Sequence, residues 1–407
     1  MNTLVTLSTE HARTRVSRAD LLLAQKRFKK LDAPSFATHH PQFKTIETVC
    51  KPYQKFKNII VIANGGSRTS ALAFYEALHA SRNHKHVEFI STMDPSLLKR
   101  IKKEFKPADT LIMPISKSGT NIDVLEPLSF FWNTHAVLPV TGKKGSVLRD
   151  IALRRGWETI DHPEIGGRFS GRSECAYALL HLCGIDIRAI DRAARQAYRA
   201  YDYDAPVSKN EALRAACIAW QLERQGYTEI FCPVYSFDYA SFLPLMVQLI
   251  HESTGKKGRG QTIFGDLAPE SQHHTNQRFF GGRKNVMGLF VVDGREMCSN
   301  DPRVRIPKTL RNLPLLDGTL GDLDGTPFGR AVGFDYEGTR DAATHAKIPH
   351  ITISLDGVGE GPAGWFLAFL HYFTVYSALL RGQNPFDQPE VEDAKARSFA
   401  YRKGFVS

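Results

Sequence analysis

Short runs rich in Ile, Val and aromatic residues alternate along this chain with stretches whose apolar positions recur at helical spacing. The runs at 58–63, 87–90, 110–115, 136–141 and 157–161 read as strands. Helical patterns follow at about 67–84, from 95, up to 132 and over 145–155. Asp94-Pro95 supplies a cap and a proline at the first helical position. This rhythm predicts βαβ units and a parallel sheet. A second cycle places strands at 229–234, 261–264, 286–292 and 350–355. Its helices fall at roughly 187–223, 237–250, 327–346, 362–381 and 390–404. Residues 1–50 are polar, with no strong strand pattern. The break lies between about 185 and 207, with Pro206 in a plausible linker. Thr-Gly-Lys-Lys-Gly occurs at 141–145 and again at 254–258, which fits two related halves.

The expected organisation is an N-terminal segment 1–50, α/β units over 51–200 and 201–383, and a helical tail 384–407. A length of 407 residues suits two or three domains. Apolar residues at 42% and charged residues at 23% exclude a disordered, collagenous or coiled-coil chain. The net charge, 53 − 42 = +11, favours anionic partners without choosing among them. The six cysteines, Cys50, Cys175, Cys183, Cys217, Cys232 and Cys298, form no CxxC pair and no zinc spacing. They point to a reduced, intracellular protein. No signal peptide is visible, and the apolar stretch 365–380 is shorter than the ~20 residues of a membrane span. It reads as a buried helix, so no membrane partner is expected.

Several loops could carry chemistry. Ser116-Lys117-Ser118-Gly119-Thr120-Asn121 follows a strand and opens a helix. Hydroxyls, a lysine and backbone N–H groups at a helix start suit a phosphate, and they equally suit an ordinary capping loop. Asn64-Gly65-Gly66-Ser67 is a second strand-to-helix turn. It lacks GxGxxG spacing, which argues against a dinucleotide. Arg168, in Gly166-Gly167-Arg168-Phe169-Ser170, could reach an oxyanion or lie on the surface. His251-Glu252 begins like HExxH, but Gly255 stands where the second ligand belongs, so no metal site is expected. Glu252 remains a general base or a solvated side chain, and His273 an acid/base imidazole or a plain loop histidine. The basic run from Lys99 to Lys106 reads as a solvated face. No nucleic-acid motif accompanies it.

The order of these strings is more specific than any one of them. Gly65-Gly66-Ser67, Ser116-Lys117-Ser118-Gly119-Thr120, Gly166-Gly167-Arg168-Phe169-Ser170, Glu252-Ser253-Thr254-Gly255-Lys256, Gln272-His273 and Asn384-Pro385-Phe386-Asp387-Gln388-Pro389 resemble the glucose-6-phosphate isomerase family from about residue 58 to 396. The resemblance implies two doubly wound, parallel-sheet sugar-isomerase (SIS) α/β domains in three αβα layers, with helical terminal segments. It implies a cytoplasmic homodimer that needs no cofactor. The activity implied is interconversion of glucose 6-phosphate and fructose 6-phosphate through a cis-enediolate. By the same resemblance Glu252 is the base and Arg168 stabilises the enediolate. His273 opens the ring from the neighbouring subunit, and Lys395 assists. Gly66, Ser67, Ser116, Lys117, Ser118, Thr120 and Asn121 would hold the phosphate, and Gln248 and Gln388 would contact the sugar. Asn64, Arg68, Asn121 and Asp123 depart from the family's commoner residues. They motivate a second reading, the same chemistry on another anionic hexose. A silent sugar-phosphate-binding protein is a third, disfavoured by the joint presence of Glu252, His273 and Lys395.

Overall fold

The computed structural model describes residues 3–79, 85–294 and 301–406. Two sheets dominate it. The first runs in the order His86–Ile90, Asn58–Ala63, Thr110–Ser116, Val140–Thr141, Ile160–Asp161, all parallel, with Ala136–Val137 also on Thr110–Ser116. The second runs Val5–Ser8, His350–Leu355, Val286–Val292, Glu229–Phe231, Thr262–Phe264, with Val234–Tyr235 on Val286–Val292. Every pairing in it is parallel except that of Val5–Ser8 with His350–Leu355.

The central strands lack a polar face because both of their faces are covered. In Asn58–Ala63, Ile59, Val61 and Ala63 join the main core, while Ile60 and Ile62 join a separate cluster with Ile112, Val124 and Leu148. In the second sheet, Leu289 and Val291 face the same main core, and Phe231 and Phe290 face a third cluster. The two sheets thus share one helical layer. Its centre is the helix Glu360–Leu380, 21 residues long and buried inside the chain over its apolar window. Gly364 lets it cross the helix Ile187–Tyr201 closely: a Cβ there would lie 2.7 Å from the Ile190 carbonyl oxygen.

The α/β reading agrees with this architecture. Some local expectations change. The polar N-terminal segment contains an edge strand, Val5–Ser8, whose partner lies near the other end of the chain. The run 136–141 splits at Leu138-Pro139 and the run 229–234 at Cys232-Pro233, since proline brings no N–H to a ladder. The helix predicted from about 67 spans Gly66–Leu78, and the rest of that pattern, 80–84, lies outside the described residues. Cys298 also lies outside them; the other five cysteines are buried and free. Between Asp301 and Pro327 an arm with a two-residue-strand hairpin, Pro314–Leu315 with Gly318–Thr319, stands largely exposed. No pattern announced it.

Candidate active site

Paired strands bring their following loops together. Ala63 lies opposite Ile115, so the glycine turn after the first strand and the hydroxyl-rich loop after the second open at one sheet edge. Asn64 Nδ2 donates to the Asp123 carbonyl oxygen at 3.2 Å and ties the two loops. Gly119 adopts φ +65°, and a Cβ there would fall 2.0 Å from Ser146 Oγ. Ser116 Oγ accepts the Gly119 N–H at 3.1 Å, and Ser118 Oγ accepts both the N–H and the hydroxyl of Thr120. Thr141 Oγ1 donates to the Ser116 carbonyl oxygen at 2.8 Å, bracing the loop from the next strand. Lys117 pairs with the exposed Glu164 at 2.9 Å. Asn121 occupies the N-cap of Ile122–Ser129 with no side-chain cap bond.

The first glycine turn meets a second one. Gly65 has φ +56° and precedes the helix Gly66–Leu78, which has no side-chain cap. A Cβ on Gly66 would sit 2.0 Å from the Gly167 carbonyl oxygen and 2.3 Å from the Arg168 nitrogen. Backbone packs on backbone here, and this contact seats Ser67 beside the turn that carries Arg168.

Arg168 is the hub. Its side chain is only 3% exposed and uses all five N–H donors. Nε donates to Ser253 Oγ at 2.9 Å. Nη1 donates to Glu252 Oε2 at 2.8 Å and Gln388 Oε1 at 2.7 Å. Nη2 donates to the carbonyl oxygens of Pro385 at 2.8 Å and Asp387 at 2.9 Å. Burial pushes the guanidinium pKa down, and Glu252 and Asp387 oppose that. With no spare N–H, Arg168 presents its charge, not a free donor, to anything that enters.

Glu252 lies in the last turn of the helix Leu243–Thr254, with its side chain 30% exposed. Gln248, one turn earlier, donates Nε2 to Glu252 Oε1 at 2.9 Å and accepts the Thr69 hydroxyl at 2.8 Å. The carboxylate is therefore held at both oxygens yet open to solvent. The negative helix end and the Arg168 cation act on it in opposite senses. His251 next to it is structural. Its Nε2 accepts the Ile263 N–H at 3.0 Å, and burial holds its pKa below the usual imidazole value.

Not every expected residue joins this group in the chain. His273 sits exposed on the helix Glu270–Gly281. Its electrostatic neighbour is Asp335, whose pKa burial raises and His273 lowers. Lys395 is 66% exposed on Glu392–Val406 and pairs with Glu392 at 2.8 Å. Among the described residues, no hydrogen bond or ion pair joins either to Arg168, Glu252 or Gln388. No cluster of metal ligands occurs among the described residues.

Other participants went unnoticed in the sequence. Thr69, Ser253 and the Asp387 carbonyl enter the network directly. Arg172, just past the turn that carries Arg168, is buried. It binds Asp191 at 2.6 Å and the carbonyl oxygens of Ala37 and His39, which docks the N-terminal segment behind the site. A charged residue inside an otherwise buried string was the available signal, and its partner lay in another element.

The family model described as Phosphoglucose isomerase matches residues 36–129. The glucose-6-phosphate isomerase of Lactiplantibacillus plantarum is 28% identical over 88% of this chain and 83% of its own length. The probable glucose-6-phosphate isomerase of Haloarcula marismortui is 28% identical over 88% and 81%. Among solved structures, a hypothetical protein from Thermus thermophilus superposes with TM-score 0.88 at 24% identity, covering 99% of this chain and 100% of that one. A glucose-6-phosphate isomerase from Chlamydia trachomatis gives 0.79 at 20% identity, covering 100% and 90%. These two likenesses concern the fold.

Proposed function

We propose that this chain, which belongs to the phosphoglucose isomerase family, interconverts glucose 6-phosphate and fructose 6-phosphate. The observation that carries the reading is the Arg168–Glu252 contact at 2.8 Å, with Gln248 and Gln388 in the same network. In the open-chain aldose, the Glu252 carboxylate removes the proton from C2. The electron pair forms the C1–C2 double bond, and the C1 oxygen takes up the charge. Arg168 stabilises that cis-enediolate electrostatically. Glu252, now protonated, returns the proton to C1 while the proton of the C2 hydroxyl passes to the C1 oxygen, and the ketose results. The loop Ser116–Asn121 with Gly66 and Ser67 would receive the phosphate, Lys117 adding charge. Gln248 and Gln388 would orient the sugar hydroxyls. The chemistry assigned to these residues asks for no cofactor.

His273 and Lys395 would open the ring, with His273 supplied by a second copy of the chain. Two features support that arrangement. His273 is exposed, and among the described residues no hydrogen bond or ion pair ties it to its own Glu252 network. The arm exposes Leu313 and Leu316, and the helix after it, which carries Asp335 beside His273, exposes Phe328 and Phe334. A homodimer would cover them. We place the reaction in the cytoplasm, in keeping with five buried, unpaired thiols.

The test couples fructose 6-phosphate conversion to a glucose 6-phosphate dehydrogenase readout, with Glu252→Gln in parallel. Turnover that falls at least ~100-fold in the variant is expected from loss of a positioned base. A wild type equal to the buffer blank would overturn the reading. Asn64, Arg68 and Asn121 keep a second reading in view. Arg68 is half-buried, its Nε has no hydrogen-bond partner among the described residues, and burial lowers its pKa. Higher kcat/KM on another anionic hexose than on glucose 6-phosphate would select that reading.

A further inference from the structure

We infer that Lys256 and Asp387 form a clamp that sets the geometry of Arg168 and Gln388, so that Lys256 is a positioning residue. The inference rests on the roles proposed above for Arg168 and Glu252. Lys256 is 6% exposed, and a lysine is rarely so buried unless paired. Its Nζ donates to Asp387 Oδ1 and to the Asn384 carbonyl oxygen, both at 2.5 Å. Its own carbonyl oxygen accepts Gln383 Nε2 at 2.6 Å. The residue is thus gripped at both ends by the turn 383–388. That turn is tightened by the Phe386 N–H on Asn384 Oδ1 at 3.0 Å. In return it gives Arg168 three of its five acceptors: Pro385 O, Asp387 O and Gln388 Oε1.

The clamp has an electrostatic side. The Asp387 carboxylate already acts on Arg168 through space. Lys256 holds it in a different direction. Without the ammonium, that carboxylate is free to rotate toward the guanidinium and compete with Glu252 for Nη1. The phosphate loop belongs to another sheet edge and is braced by Thr141 and Ser146, so the clamp does not touch it.

The test compares wild type, Lys256→Met, Lys256→Arg, Asp387→Asn and the Lys256→Met/Asp387→Asn pair. Steady-state kinetics on fructose 6-phosphate and hydrogen exchange across 383–391 are read for each. Lys256→Met is expected to lower kcat about 10- to 100-fold with KM changed less than about threefold, and to speed exchange in the turn. Lys256→Arg should keep most of kcat. The double variant should recover kcat relative to Lys256→Met, because the rival anion is gone; a loss of packing alone would not be rescued. If Lys256→Met fails to fold, Lys256→Arg and the half-exposed Asp387→Asn carry the test, the latter with a kcat loss of a few fold. Unchanged exchange and unchanged kcat in the variants overturn the clamp. Faster exchange with unchanged kcat, or no rescue in the pair, overturns the positioning role. An inactive wild type whose turn still loosens on removing Lys256 supports the clamp and overturns the assigned reaction.

Discussion

At Gly66 a single methyl group would meet backbone, not a side chain that can turn away. The Gly167 carbonyl oxygen lies 2.0 Å from where that methyl carbon would stand. Gly66→Ala is therefore expected to destabilise the fold by about 1–3 kcal/mol, as overpacking does, and to lower activity by shifting Arg168. Gly145→Ala is the control. It has φ +65° but open space around the Cβ, so only the left-handed backbone cost of about 1–2 kcal/mol applies. Urea melts of both variants, with kcat, check the pair. At this scale the sequence pointed to residues that the fold brings together, Arg168 with Glu252 and Gln388 and Gly66 against the Arg168 turn. Gly66, Arg168, Glu252 and Gln388 lie in short strings that are weak singly, and their expected roles came from the resemblance carried by the order of those strings. The clamp was illegible because Lys256 and Asp387 stand 131 positions apart, and nothing local distinguishes that lysine from the exposed Lys257 beside it.

Elements were read well where one strand's surroundings are uniform. Runs covered on both faces, such as Asn58–Ala63, announce themselves by continuous apolarity. The edge strand Val5–Ser8 did not, because its two exposed positions dilute the pattern and its partner lies at 350–355. The strand is also held by Glu211, which accepts the Leu7 N–H at 3.2 Å while its second oxygen is buried with no hydrogen-bond partner among the described residues. Burial raises this carboxyl from the ordinary 4.5 to about 7, with Leu7 and Arg214 opposing. The folded state holds that proton more tightly than the unfolded chain. The associated stability is thus full below about 4.5 and lost as pH rises through about 7. Glu211→Gln should match wild type near pH 4.5 and melt higher than wild type at pH 8, which calorimetry at the two pH values decides.

For the whole molecule, buried imidazoles set the acid limit. Burial pushes His162 down to about 4 and His371 to about 3, and each keeps one ring nitrogen buried with no hydrogen-bond partner among the described residues. Both are neutral in the fold and bind protons more readily when unfolded. Stability is full above about 6.5 and declines as pH falls through the window toward 4. Because Glu211 moves stability the other way over the same window, the check is made in Glu211→Gln: a melting temperature of that variant that is flat between pH 7 and pH 5 would refute this. Assembly gives a second check. Light scattering should report twice the chain mass. Leu316→Asp, at a side chain 97% exposed, should shift it toward one chain and lower kcat without lowering the chain's own helicity. The arm escaped the sequence reading because its apolar residues follow no helix or strand period. The Arg168 fork carries a further consequence, for synthesis. Its acceptors at Pro385 and Asp387 lie 217 and 219 residues downstream. At about 5–20 residues per second, a ribosome needs roughly 10–45 s to deliver them after the arginine itself emerges. Through that interval the first sheet is complete, yet the cation at its rim lacks most of its partners. The nascent N-terminal half therefore waits with an open, hydrated fork until residues 385–388 have been made.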